Sequence, residues 1–525
     1  MPTEIQPAAN VRPQSAGDAP SFARGLGSAC RRHGTHAGIL ILVAGAAFFT
    51  VSGSRPVVRQ QEIRVLETAR EMAESGDLLV PRLSGVPRFQ KPPLAYWLAL
   101  LGFEIAGEPS EEAGRAFSAI CGVLTVLVVY AFGCTMGQPR LGFWAGLMLA
   151  TANLFARGAR RAETDVLMTF CMTAAFYAFW RAFEPAPGER RRPLPWILAA
   201  WASLGLAFLS KQVGPALVLA CILFYLGVGR RWKEIGRVFH PLGILLFLAI
   251  ATPWYAAVMR RNGLILDVFL REAEGAVEGL DHRPETPIMQ TFFYFVRLVP
   301  CFAPWCIFLV PALLRAFRER RRERGTGFLL SWAGVIFFVL TLAGKKQEHY
   351  LMPAIPALAL LTASWTEFGP ERSVAAGRWI SRLKAAAVAG GCLFWPGADF
   401  FDISSHEGRR TPPAFIERSR TIIDRSPVYF LAMADMNRPF LEFQLRRVIP
   451  AVQVARDEIK ELLRRGEQFY VIVSGNPDPF RLAAPDAAIG IPPTPPVLSS
   501  APGQAPLHLF SFGGTVPPDP LPLHP

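Results

Sequence analysis

Residues 62–97 read EIRVLETAREMAESGDLLVPRLSGVPRFQKPPLAYW, a charged stretch set directly after the first long apolar run of a chain that is otherwise mostly apolar. Hydrophobic residues make up 51% of the 525 positions, charged residues only 18%, and there are 12 Trp. That is more apolar material than one soluble core needs, so the class is a polytopic α-helical membrane protein. A polar stretch of this length among membrane spans points to chemistry at the membrane surface.

Crossing ~30 Å of hydrocarbon takes about 17–25 apolar residues. Runs of that kind predict about eleven spans, near 37–53, 113–135, 141–157, 163–183, 194–210, 212–229, 239–258, 290–314, 327–343, 350–367 and 383–397. Residues 1–36 are rich in Pro, Ala, Arg and Ser and read as a disordered tail, too long a preface for a cleaved signal peptide. Basic clusters at Arg190–Arg192, Arg230–Arg231–Lys233, Arg315–Arg324 and Arg372–Lys384 fall after even-numbered spans. The positive-inside rule assigns them, with the tail, to the cytoplasm. The net charge of +14 is thereby a matter of membrane orientation, and no nucleic-acid partner is expected. The 62–97 stretch, the 157–165 turn, Lys211, the 259–289 loop and Lys345–Tyr350 then share the outer face. Several of these outer residues are basic against the trend, for which a bound phosphate is the economical reason.

At 100° per residue Val65, Leu66, Ala69, Met72 and Ala73 fall on one side, predicting an amphipathic helix in the interface that Gly76 ends. On this wheel Glu62 points toward the apolar side, whereas Arg64, Glu67, Glu71 and Glu74 point away. Glu62 is either a helix-start acid favoured by the dipole or a carboxylate facing a reaction pocket. Lys91 precedes Pro92 and Pro93, which suit the first turn of a helix over Leu94–Ala106. An ammonium beside free helix-start amides is an anion site, with interfacial snorkelling as the alternative. Trp97, Trp254 and Tyr255 read as interfacial belt residues.

The domain organisation that follows is a disordered tail over 1–36, a transmembrane domain over 37–397 with an external loop at 54–93, a small α/β unit over 398–484 and a Pro-rich tail over 485–525. The α/β unit is read from VYFLAM (428–433), a helical run at 437–447, VIPAV (448–452), an amphipathic helix at 455–465 and FYVIV (469–473). The last segment holds too much Pro to support regular elements. Eight cysteines without a CxxC spacing read as packing residues.

The pattern E-x-R-x-x-x-x-A-R-E-M-x-x-S-G-D-x-x-V-P-R-L-x-G-V-P-x-F-x-K-P-P-L-x-Y-W resembles the first external loop of the ArnT-like glycosyltransferases related to dolichyl-phosphate-mannose-protein mannosyltransferases. The likeness continues through ARRAETDVLMTF (159–170), LSKQVGPALVL (209–219), ATPWYAAV (251–258), DHRPETP (281–287) and KKQEHYLMPAIPALALL (345–361), and covers about 55–365. The resemblance implies the GT-C fold, an external active site and inverting transfer from a polyprenyl-phosphate sugar to lipid A, a glycan or a protein at the outer face of a bacterial inner membrane. It also implies roles for residues. Arg64, Lys91, Lys211, Lys345 and Tyr350 would bind substrate phosphate, and Glu62 and Asp165 would act on the acceptor.

The chain departs from the family pattern at two places. Gln61 stands where relatives often carry an acidic Asp, and a glutamine cannot take a proton there. Gln90 stands beside Lys91 where relatives often carry an acid that, with a loop histidine matched by His282, would hold a metal, and no metal is assigned. Two other functions compete: a non-catalytic member that binds lipid-linked sugar, kept open by Gln61, and a transporter. The charges sit at span ends and no repeat is evident, which argues against transport.

Overall fold

The computed structural model describes residues 19–50, 57, 59–185, 190–263, 287–344, 346–369, 374–406, 419, 427–431, 438–449, 451–452, 469–474, 498–499 and 507–512. Helix α1 (Ala19–Phe49) leads into the quoted stretch, whose helix α2 spans Gln60–Ser75. A hairpin of β1 (Arg82–Leu83) and β2 (Val86–Pro87) follows, then α3 (Leu94–Ala106). Next come α4 (Glu111–Met136), α5 (Pro139–Thr151), α6 (Asn153–Ala159), α7 (Thr164–Phe183), α8 (Pro193–Ser210), α9 (Val213–Val228), α10 (Trp232–Val238) and α11 (Pro241–Asn262). The bundle closes with α12 (Pro287–Cys301), α13 (Leu309–Glu319), α14 (Arg324–Leu342), α15 (Ile355–Phe368, entered through a 3-10 turn over Glu348–Ala354) and α16 (Val374–His406).

Among the described residues six helices are long and apolar enough to cross a membrane: α4, α7, α8, α11, α14 and α15 with its entry turn. Phe292–Cys301 and Trp305–Glu319, bent by 116°, make a seventh if they form one span. His33–Phe49, Leu94–Ala106 and Val213–Val228 are shorter apolar helices. Threonine hydroxyls on α7 are satisfied within the helix. Thr169 donates its hydroxyl to the Asp165 carbonyl at 2.7 Å and Thr173 donates to Thr169 at 2.7 Å, as a medium without water requires. Where α4 crosses α5, a Cβ on Gly133 would stand 2.3 Å from the Gly142 Cα, so only two glycines let these backbones touch.

Beyond the bundle, β3 (Val428–Leu431), α17 (Arg438–Leu445), β4 (Ala451–Val452), β5 (Phe469–Ser474), β6 (Leu498–Ser499) and β7 (Leu507–Phe512) follow in order. The strands form one sheet in the order β4-β3-β5-β7-β6, parallel from β4 to β5 and antiparallel from β5 to β6.

Several expectations change. Helix α1 starts at Ala19, well inside the stretch read as a disordered tail, because extending an existing helix is far cheaper than nucleating one. Helix α16 runs through the boundary drawn at 398. Strands β6 and β7 lie in the stretch read as a Pro-rich tail, where LHLFSF alternates as a strand does and pairs along all six residues with β5. The amphipathic helix expected at 455–465, His282 and Lys345 lie outside the described residues.

Candidate active site

Helix α2 starts without a side-chain cap at Arg59 and ends at Gly76, whose φ of 67° closes the helix and whose amide donates to the Met72 carbonyl at 3.0 Å. The loop beyond is pinned by the two tryptophans read as belt residues. Trp97 donates its indole N–H to the Leu78 carbonyl and Trp254 donates to that of Leu79, both at 2.9 Å. Ser84 and Gly85, with φ of 55° and 76°, turn the β1–β2 hairpin.

The wheel places Val65, Leu66, Ala69 and Met72 correctly in the core, but Glu67 and Glu71 are buried too. One face of α2 packs on α3 and another is covered by α17, so the helix is sandwiched rather than half in the interface. Arg70 pairs with Glu67 at 2.7 Å, and the Glu71 carboxylate accepts from the amides of Ser84 and Gly85. From α17, Glu442 accepts from the Ser84 hydroxyl, from Arg438 at 3.0 Å and from the Ile449 amide at 2.9 Å. Among the described residues Glu67, Glu71 and Glu442 are the group spaced closely enough for a metal, and each is already engaged by these donors. Burial pushes Glu67 up to about 8, against Arg70 and aided by Glu442 and Glu71.

Glu62 is 1% exposed and closed into an ion pair, accepting from Arg115 Nε at 2.7 Å and from the Ala162 amide at 3.3 Å. It therefore ties α2 to α4 and to the turn before α7. Asp165, at the start of α7, accepts from Lys211 Nζ at 2.9 Å, and His349 Nε2 lies 3.9 Å from its other oxygen. Lys211 sits between α8 and α9 with its ammonium 4.8 Å over the Tyr350 ring. Asp165 and Tyr350 keep that ammonium charged against the burial that opposes it. Lys346, next to Lys345, is spent as a helix cap, donating to the carbonyls of Leu340, Thr341 and Ala343 at 2.7–3.2 Å.

Among the described residues two crevices open near the α2 start. Arg64 and Lys91 share the first and narrower one with Gln61, Arg88 and Thr164, and Lys91 is placed just before α3, as expected. The second has a volume of about 220 Å³ and is lined by Arg59, Arg157, Arg161, Glu163, Glu348 and His349 with Leu154, Gly158 and Met352. Arg59 joins its walls, donating to Glu163 Oε2 at 3.1 Å and lying 3.3 Å from His349 Nδ1. Arg157 donates to Glu348 at 3.3 Å. Burial raises the Glu163 carboxyl above the usual range, against the pull of Arg59 and Arg161.

Thus Arg64 and Lys91 line one crevice, and Lys211 joins Asp165 to Tyr350, while Glu62 pairs with Arg115. Sequence reading missed Arg59, Arg88, Glu163 and His349. The excess of charge in RRAETD around Glu163 was the one available signal; His349 carried none.

Residues 90–256 match the family model for dolichyl-phosphate-mannose-protein mannosyltransferase. Undecaprenyl phosphate-alpha-4-amino-4-deoxy-L-arabinose arabinosyl transferase 2 of Sodalis glossinidius is 30% identical over 318 residues, covering 59% of this chain and 56% of the relative. The chain spans less than two thirds of the length of the curated relatives it matches first. The crystal structure of ArnT from Cupriavidus metallidurans bound to undecaprenyl phosphate superposes with a TM-score of 0.72 at 21% identity, covering 90% of this chain and 97% of that one. The apo oligosaccharyltransferase of Archaeoglobus fulgidus does so with 0.54 at 14% identity, over 84% of this chain and 69% of that one.

Proposed function

We propose that the chain is an ArnT-like glycosyltransferase, as its similarity to that family supports, and that it moves a sugar from a polyprenyl phosphate carrier to an acceptor at the outer face of a bacterial inner membrane. The observation that carries this reading is the meeting of Arg64, Lys91 and Arg88 in one crevice beside the start of α3. Two of these cations come from the loop between α2 and α3 and one from α2, and all lie where span ends reach the interface. A phosphate there gains full charges and helix-start amides at once. Lys211, held by Asp165 and Tyr350, supplies a further cation as negative charge builds on the departing phosphate. Glu62 serves by fixing α2 through Arg115, and Asp165 by fixing Lys211.

The finer parts of the reading rest on the same frame. We count about eleven crossings, since each of the eleven apolar runs contains described helix, 290–314 as a bent pair, and take the sheet with α17 as a small α/β unit outside the bundle. Transfer is inverting, and the acceptor is a lipid, a glycan or a protein.

The test is transfer by the purified protein in liposomes, with radiolabelled sugar on undecaprenyl phosphate, beside direct binding of undecaprenyl phosphate. Lys91→Ala and Arg64→Ala should each weaken that binding about 10–100-fold, the worth of one charge-assisted hydrogen bond of about 1.5–3 kcal/mol. Wild-type affinity in both variants would put the phosphate elsewhere.

A further inference from the structure

The two expected acceptor bases are both committed, Glu62 to Arg115 and Asp165 to Lys211. Glu163 is different. Its side chain is 2% exposed and its Oε2 accepts from Arg59, yet its Oε1 is buried with no hydrogen-bond partner among the described residues. It lines the 220 Å³ cavity. A buried carboxylate oxygen is a strong acceptor that proteins almost never leave unmet.

The position of this oxygen relative to the donor crevice follows from chain order. Arg59 and Glu163 line the cavity, whereas Gln61 and Thr164, one or two residues on, line the crevice holding Arg64 and Lys91. The two hollows therefore abut along the α2 start and the turn before α7. We propose that the cavity receives the acceptor, that the acceptor presents a hydroxyl, and that Glu163 is the base that takes its proton. This rests on the transferase reading above.

The chemistry of the cavity selects a hydroxyl over a phosphate as nucleophile. Arg59 and Arg157 face Glu163 Oε2 and Glu348, yet the buried Nε of Arg157, like Glu163 Oε1, has no hydrogen-bond partner among the described residues. A hydroxyl meets both, giving its hydrogen to Glu163 Oε1 and accepting one from Arg157, whereas a phosphate dianion has no hydrogen to give. In the transfer, the acceptor oxygen bonds to the anomeric carbon and its proton passes to Glu163 Oε1. The bond from that carbon to the phosphate oxygen breaks, and its electron pair leaves on the polyprenyl phosphate. The groups around Glu163 are Arg59 on the α2 side, Arg161, Asp165 and Glu62 near its own turn, and Glu348 and His349 across the cavity. Burial, the largest influence, keeps its affinity for a proton above that of an exposed carboxylate.

The test uses the full chain in liposomes with a panel of undecaprenyl phosphate-linked amino-arabinose, glucose and mannose as donors, and glycerol or water as the hydroxyl. Release of undecaprenyl phosphate is followed against pH. Loss of a general base should lower kcat of Glu163→Gln by about 100-fold or more. Donor KM and the Kd for undecaprenyl phosphate should not move, Glu163→Asp should keep part of the rate, and the fall of wild-type kcat toward acid should vanish in the Gln variant. Wild-type kcat in Glu163→Gln overturns the assignment and leaves the transferase reading standing. Loss of undecaprenyl phosphate binding along with kcat makes Glu163 structural and also overturns it. A wild-type protein that consumes no donor of the panel overturns both.

Discussion

Glu62 and Glu163 are equally buried carboxylates, and the number of partners separates them. Glu62 accepts from Arg115 and the Ala162 amide, whereas Glu163, which lines the cavity, has one buried oxygen with no hydrogen-bond partner among the described residues. Breaking a buried ion pair by removing one charge costs about 3–5 kcal/mol, with the lower end apt here because Glu111 stays 3.5 Å from Arg115. Glu62→Gln should therefore lower the thermal unfolding temperature in detergent markedly, while Lys91→Ala should unfold like wild type and fail only in undecaprenyl phosphate binding. An unchanged melting curve for Glu62→Gln would remove the structural role given to it. The sequence placed Glu62 on the correct side of its helix. That its partner lies 53 residues on, in α4, is a fact of tertiary packing with no local trace.

At the scale of elements, α2 was legible from its apolar stripe and its glycine stop, and α3 from Pro92 and Pro93, because these are local rules of helix geometry. The second covering of α2 was not, since nothing in residues 60–75 shows that α17, more than 350 positions later, packs on Glu67 and Glu71. This covering makes a pH-sensitive clasp. Burial raises the carboxyls of Glu67, Glu71 and Glu442, Glu67 to about 8, while Arg70 and Arg438 pull the other way. An acid whose folded pKa is raised stabilises the contact fully below its unfolded value, near 4.5, and loses that contribution as pH climbs through about 8. Hydrogen exchange in 438–447, corrected for intrinsic rates, should quicken as pH rises from 5 to 8. Glu442→Gln should flatten the rise, and a pH-independent clasp in wild type would show the carboxylates to be ionised throughout.

For the whole molecule, α7 acts as the ruler. Its 20 residues measure about 30 Å, the thickness of the hydrocarbon core. Asp165 and Lys211 mark one end, beside the cavity. Just past the other, Glu184 accepts from Arg231 at 2.8 Å and Arg324 at 3.1 Å, and Arg191 pairs with Glu234 nearby at 2.8 Å. Three of the basic clusters read from the sequence thus converge on the face opposite the site, which was legible because charge asymmetry is written into short loops. The orientation proposed above, from the positive-inside rule, predicts that the site end is the outer one. In intact cells a membrane-impermeant maleimide should label Val86→Cys, in the exposed hairpin, and should reach Arg192→Cys only after lysis, with wild-type labelling as background. The reverse order would turn the molecule over and put both crevices in the cytoplasm, where a carrier displayed on the outer leaflet would never meet Lys91.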